Sequence, residues 1–229
     1  RFEEEIQRNP YNIKTWLTYI DHKKSARSKI RFAIYDRAVK YLPRSYKLWH
    51  MYLKERVHKL RNKCITDHGY VKAAKLYERC LMHMHKMPTI WLEYCQLLVK
   101  MRKGSETRKT FDKALRALPI TQHSIIWEVY IEWVVEFGVS ESTICVYRRY
   151  LMFNPTYRED YVEYLEQNKC YNEAAKQLII CINDDHYISS KSHTKHHMWM
   201  HLCDLCALHP QDDSTDISTR LPALSKQFF

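Results

Sequence analysis

The sequence predicts an all-α fold built from repeated helix pairs, and three observations carry the prediction. Tryptophans recur in frame, at Trp16, Trp49, Trp91, Trp127 and Trp199, with Tyr161 in the corresponding place of the remaining unit. An aromatic stands three residues after each of the first five, as Tyr19, Tyr52, Tyr94, Tyr130 and Tyr164, and Leu202 fills that slot in the last. Glycine occurs at only three of 229 positions, against an average usage of about 7%. A spacing of three places both side chains on one helical face, so each such pair marks the first helix of a unit.

The second helix of a unit has its own mark. Tyr35, Tyr77, Phe111 and Tyr147 follow the preceding tryptophan by 19, 28, 20 and 20 residues. Three residues on stand Ala38, Cys80 and Ala114, small enough to let helices approach closely; Tyr150 takes that place in the fourth unit and predicts a wider spacing there. Each second helix runs out into a proline, at Pro43, Pro88, Pro119 or Pro155. Proline lacks the N–H that would continue a helix and disfavours helical backbone before it. The stretch Thr110 to Trp127 is the best-formed copy, and Ile120 to Ser124 lie in its corner, where packing demands little.

Two intervals are long. The basic segment Lys54 to Lys63 with Cys64 to Gly69 predicts an extended first helix and a longer turn. The polar stretch Asn183 to His197 predicts a surface loop before the helix of Trp199. A two-helix unit cannot bury two aromatic faces alone, so successive units must stack on one another. The predicted core is Trp16, Tyr35, Trp49, Tyr77, Trp91, Phe111, Trp127, Tyr147, Tyr161 and Trp199. Truncating one of these should cost about 3–5 kcal/mol.

Composition excludes several functions. The three glycines are isolated from one another, whereas phosphate-cradling and dinucleotide loops need several within a few residues. The charged start RFEEEIQRNP does not read as a secretory signal. The longest apolar run, Leu178 to Ile182, is too short to cross a bilayer, so no membrane partner is expected. Eight scattered cysteines read as reduced, small, buried residues without a disulfide framework.

No nucleophile elbow and no H-E-x-x-H pair occurs, so no catalytic residue, cofactor or small-molecule substrate is assigned. The cluster His193, His196, His197, His201, Cys203, Cys206 and His209 resembles a zinc ligand set in composition, and a zinc-dependent enzyme is the alternative it raises. Cys203 and Cys206 also fit core and boundary places on a helix through Leu202 and Leu205, which leaves no second ligand pair at a defined turn. Met82 to Met87 has thioether and imidazole groups that suit copper, but packing explains it at the end of a repeat helix.

The net charge of +11 is concentrated. Between His22 and Lys63 stand fourteen Lys or Arg against Asp36 and Glu55, a local net of +12, and the rest of the chain is nearly neutral. Such a block suits RNA phosphates or an acidic protein surface; it also fits a solvated helix face. Most aromatics within it, from Phe32 to Tyr52, hold repeat-core positions, which leaves charge without base stacking. Lys54, Arg56, Lys59, Arg61 and Lys63 are the candidate contacts.

The units lack the glycine of the ordinary tetratricopeptide pattern. YDRAVKYLP (35–43) and FDKALRALP (111–119) resemble instead the HAT (half-a-TPR) repeat of RNA-processing scaffolds. EEEIQRNP, SYKLWHMYLK, MHKMPTIWLEYCQ and TFDKALRALPITQHSIIW, followed by YVEYL, NEAAKQL and MWMHLCDL, are similar to the SYF-type pre-mRNA-splicing factors, in order and over nearly the whole chain. The resemblance implies a right-handed superhelical solenoid of five to six HAT helix pairs over residues 1–209, with 210–229 leading toward a further repeat. It implies an N-terminal piece of a longer, nuclear, non-catalytic scaffold of the NineTeen-associated complex. The partners implied are other HAT-repeat factors, an Aquarius-type helicase and small splicing factors, and animal members are also linked to transcription-coupled DNA repair. A crooked-neck-like or cleavage-stimulation scaffold is the neighbouring alternative, the latter expected to dimerise.

Overall fold

The structure, a computed structural model, describes residues 1–208; His209 and the expected tail 210–229 lie outside the described residues. Twelve helices run through the described residues in chain order: α1 (Phe2–Arg8), α2 (Ile13–His22), α3 (Ser28–Tyr41), α4 (Tyr46–Leu60), α5 (His68–Met84), α6 (Pro88–Lys100), α7 (Gly104–Ala117), α8 (His123–Phe137), α9 (Ser140–Phe153), α10 (Arg158–Gln167), α11 (Tyr171–Asn183) and α12 (Lys195–Leu208). Short 3-10 turns at Ile120–Gln122 and Pro155–Tyr157 precede α8 and α10. No strand occurs among the described residues, and no helix there is long and apolar enough to cross a membrane. The fold is all-α and of the helical-solenoid class, with helices that pack mainly on their neighbours in sequence. Five complete pairs run from α2/α3 to α10/α11. The chain divides into two compact units, Arg1–Tyr130 and Ile131–Phe229.

Prolines punctuate the pairs as the sequence predicts, but two of them start elements. Pro88 is the first residue of α6, and Pro155 opens the second 3-10 turn, places where the missing N–H has no helical partner to lose. Glycine scarcity is met differently at the turns within pairs. Arg102 (φ 54°) and Lys169 (φ 61°) take the left-handed conformation that closes α6 and α10. At each, the next residue's N–H reaches back to the last turn, Lys103 to Leu98 O at 3.2 Å and Cys170 to Leu165 O at 2.9 Å. This is the Schellman closure that glycine usually serves. Gly138 (φ 76°), after α8, is the only glycine with positive φ among the described residues.

In the first unit, the tryptophans do more than fill space. The indole N–H of Trp16 donates to Pro10 O, that of Trp49 to Pro43 O and that of Trp91 to His85 O, each at 2.8 Å. Each bond spans six residues and pins the first helix to the carbonyl of its own entry corner. A buried carbonyl without a partner is costly, so the indole supplies apolar bulk and a donor together. Where Tyr161 replaces tryptophan, Asn154 serves the corner: its Oδ1 accepts from Thr156 N (3.3 Å) and Thr156 Oγ1 (2.7 Å).

A second device joins second helices to the first helix of the next pair at the junctions from α1/α2 to α9/α10. Still in the first unit, Phe2 stacks on Tyr19 with ring centroids 5.4 Å apart, Tyr35 on Tyr52 at 5.0 Å, Tyr77 on Tyr94 at 5.5 Å and Phe111 on Tyr130 at 4.5 Å. In the second unit Tyr147 meets Tyr164 at 5.5 Å and Tyr161 at 5.0 Å. Polar rungs run beside the stacks. Tyr19 Oη donates to Glu3 (3.0 Å) and Tyr94 Oη to Glu78 (3.1 Å). The Arg37 guanidinium forks onto Glu3 at 2.9 and 2.7 Å and lies over the Trp16 ring. Arg79 reaches Asp36 at 2.5 Å and lies over the Trp49 ring. The Arg37 bond, against the cost of burial and with help from Tyr19, holds the Glu3 carboxyl below its ordinary range. Burial, aided by nearby Glu55, pushes the Tyr35 phenol up to about 12.

Nine of the ten predicted core aromatics are buried, and Ala38, Cys80 and Ala114 are fully so. Trp199 is the correction, because it is only half-buried. Met198, Leu202 and Leu205, at i, i+4 and i+7, carry the core face of α12, and Trp199 lies one position, about 100°, off that face, at the edge of the second unit's core. The cysteine expectation also needs correction. Cys80, Cys95 and Cys181 are buried, and burial pushes the first two thiols up to about 12 and the third to about 11. Cys64, Cys145 and Cys203 are exposed because they lie on outward helix positions or in a turn. Finally, the loop after α11 ends earlier than expected, since Lys195–His197 already belong to α12.

The corner bond gives a direct test. Trp49→Phe keeps a large apolar ring but leaves Pro43 O without its donor. We predict a loss of about 1–3 kcal/mol in stability, read as a lowered denaturant midpoint with an unchanged slope.

Candidate interaction surface

The basic block is built on α3, α4 and the turn to α5. The turn is fixed at its far end by Asp67, whose side chain accepts from Gly69 N at 2.6 Å and caps α5. That backbone bond and the Lys63 ammonium hold the Asp67 carboxyl below its ordinary range. Gly69 is required there, because a Cβ would come within 2.5 Å of the buried Leu60 side chain. The turn therefore presents its charges in a defined place.

The five candidate residues do not form one patch. Lys54 and Arg56 are two positions apart, about 200° around a helix, so α4 separates them. Arg56, Lys59 and Lys63 line a concavity with Lys29, Phe32, Asp36, Asp67 and Lys72. In it the Arg56 guanidinium sits 4.3 Å and the Lys59 ammonium 5.4 Å from the centre of the Phe32 ring. Lys59 also donates to Ser28, and Lys63 pairs with Asp67 at 2.9 Å. Asp36 is engaged by Arg79, so both carboxylates of this concavity already hold cations. Among the described residues Lys29 and Lys72 have no such partner. Arg61 is exposed beyond the end of α4 and lines neither concavity.

Lys54 faces the other way, into a groove of ≈ 700 Å³ between the first helices α2, α4 and α6. Its neighbours there include Ile20, Lys24, Met51, Val57, Leu97 and Lys100. Sequence reasoning found Lys54 from the charge run and missed Lys24 and Lys100 as its companions. The 3.6-residue period alone would have separated Lys54 from Arg56; bringing α2 and α6 alongside needs the stack of units.

The histidine-rich region makes local contacts where it is described. His193 pairs with the buried Glu159 at 3.3 Å, and His201 with Glu166 at 2.7 Å. The His193 and His197 rings stack at 4.2 Å. Cys203 is exposed and so is not the core residue expected, while Cys206 is half-buried against the core. Among the described residues no three His, Cys, Asp or Glu side chains are grouped as metal ligands. The loop before α12 is likewise tied down, by Lys191 on Asp160 and Glu163 and by Tyr187 Oη on Thr156 O at 3.2 Å. At the corner 120–124, Ile120, Thr121 and Ser124 are exposed, while His123 is half-buried with Nε2 3.0 Å from Leu118 O.

The comparisons with known proteins bear on this geometry. Residues 1–156 match the family described as "Pre-mRNA-splicing factor Syf1/CNRKL1 N-terminal HAT repeat", and residues 158–223 match "Pre-mRNA-splicing factor SYF1 middle HAT repeat". The chain is 42% identical over 209 residues to pre-mRNA-splicing factor SYF1 of Homo sapiens, covering 91% of this chain and 24% of that protein. It is 44% identical over 209 residues to the syf1 homolog of Drosophila melanogaster, with the same coverage. To cwf3 of Schizosaccharomyces pombe it is 36% identical over 211 residues, covering 91% of this chain and 27% of that protein. The chain thus spans about a quarter of the length of these relatives. A solved tetratricopeptide protein, YrrB, described as having an unusual peptide-binding site, aligns with a TM-score of 0.44 at 14% identity, covering 81% of this chain and 93% of that one. The second family match names SYF1 alone, which places the chain on that side of the Syf1/CNRKL1 group. This chain belongs to the SYF1 family of HAT-repeat pre-mRNA-splicing factors.

Proposed function

We propose that the chain is the N-terminal HAT array of a non-catalytic, nuclear scaffold of the spliceosome. It would work within the NineTeen-associated complex by holding protein partners in fixed relation. Other HAT-repeat factors, an Aquarius-type helicase and small splicing factors are the partners proposed, with a role in transcription-coupled DNA repair as a further proposal for animal members. The observation that carries the reading is the use of its charged and aromatic side chains. Glu3, Asp36, Arg37 and Arg79 serve as rungs between helix pairs. Such repeated junctions between neighbouring helix pairs suit a platform. Tagged chain added to splicing-competent nuclear extract should co-purify with spliceosomal small nuclear RNAs and NineTeen-complex subunits. Recovery of neither would contradict the scaffold reading, and self-pairing of the array by light scattering would favour the cleavage-stimulation alternative.

The concavity of Arg56, Lys59 and Lys63 supports a second, local role in contacting RNA phosphates. Its unpartnered Lys29 and Lys72 add charge there, and no ring in it is free to stack on a base, since Phe32 is buried. The binding expected is sequence-independent and salt-dependent. Replacing Arg56, Lys59 and Lys63 by Glu should lower the slope of log affinity against log salt by about 1 per lost contact, measured by electrophoretic titration with a single-stranded RNA. An unchanged slope would rule this role out.

A further inference from the structure

We infer that the groove between α2, α4 and α6 is a docking site for an acidic, amphipathic protein segment. The inference deepens the scaffold reading and rests on it, by assigning one surface and the chemistry of its partner. It concerns the face of α4 opposite the RNA-type concavity.

The groove has an apolar floor and a basic rim. Ile20, Tyr35, Tyr77 and Leu97 form the floor as buried side chains, with Met51 and Val57 half-buried beside them. Met51 and Val57 sit six apart on α4, and their remaining exposure is open to the groove. A thioether and an aliphatic side chain there accept varied apolar partners without a fixed shape.

The charges on the rim divide into two kinds. Arg31 and Glu55 neutralise each other at 2.5 Å. Glu93 accepts from Tyr77 Oη at 3.3 Å and has His50 Nε2 3.5 Å away. What remains open is Lys24, Lys54 and Lys100, all exposed and, among the described residues, without an acidic partner, against the single unpaired carboxylate of Asp21. Each lysine comes from a different helix or its end: Lys24 just past α2, Lys54 on α4 and Lys100 at the end of α6. The positive charges therefore come from all three helices that line the groove.

Charge complementarity and the floor together select the occupant. A nucleic acid would satisfy the lysines but place phosphates and sugars over Met51, Val57 and Leu97, which offer them no hydrogen bond. A neutral peptide would cover the floor and leave the lysines unanswered. A segment with two or three apolar side chains spaced among Asp or Glu satisfies both. The lysine ammoniums steer it and set its register, while apolar burial supplies the affinity.

The test uses the whole purified chain and a short fluorescent peptide of glutamates carrying two leucines and a phenylalanine. Fluorescence anisotropy should show saturable binding that weakens at least tenfold in Lys54→Glu/Lys100→Glu, with the helical circular dichroism unchanged. Lys54→Arg/Lys100→Arg should restore binding, and Met51→Ser/Val57→Ser should weaken it with the rim intact. A counterpart peptide with lysines for glutamates, or with serines for its apolar residues, should not bind. Equal binding of the lysine counterpart, or no loss in the Glu variants, would overturn the inference. So would an oligouridylate that displaces the peptide and loses affinity in Met51→Ser/Val57→Ser. Co-purification with the spliceosome is read separately: if it succeeds and the peptide test fails, this surface assignment falls while the scaffold reading stands.

Discussion

The structure depends on the aromatic stack between one pair's second helix and the next pair's first helix. In the first unit every such junction has it, from Phe2 on Tyr19 to Phe111 on Tyr130, and in the second unit Tyr147 repeats it with Tyr164 and Tyr161. Flat rings transmit position more strictly than aliphatic chains, because an offset stack has a narrow range of favourable geometry. The acid that follows the second-helix aromatic adds direction: Glu3 and Glu78 each accept from the tyrosine of the next first helix, and Glu3 and Asp36 bind the arginine one pair further on. These half-exposed ion pairs are individually weak. Their value lies in choosing one register among several that the apolar contacts would tolerate.

The same economy governs what the scaffold leaves free. Within the first unit, corner carbonyls are taken up by the indoles of Trp16, Trp49 and Trp91, and most carboxylates of the basic block are engaged. Among the exposed cations without an acidic partner, Lys54 and Lys29 with Lys72 line concavities on opposite faces of α4. One has an apolar floor and the other has its ring buried beneath guanidinium and ammonium groups. That single helix so separates the groove proposed to hold a peptide from the concavity proposed to meet phosphates.

Much of this was legible in the sequence. The in-frame tryptophans and the aromatics after them gave the helix pairs and nine buried positions, because period and size are properties a linear pattern records. The triplets Tyr35-Asp36-Arg37, Tyr77-Glu78-Arg79 and Phe111-Asp112-Lys113 were equally visible. Their partners were not, since Arg79 meets Asp36 across 43 positions and nothing local states that distance. Trp199 misled for a related reason. Its register matched the repeat, but Met198, one residue earlier, claims the core face of α12. Nor does charge counted along a chain record the turn of a helix that puts Lys54 and Arg56 back to back.

A double-mutant cycle on Tyr77 and Tyr94 tests the central claim most directly. Each is replaced by leucine, singly and together, and stability is measured by denaturant unfolding. If the stacked junction holds adjacent pairs in place, the two changes should couple by about 0.5–1.5 kcal/mol. Losses that simply add would show that the rings contribute burial alone and would contradict the account.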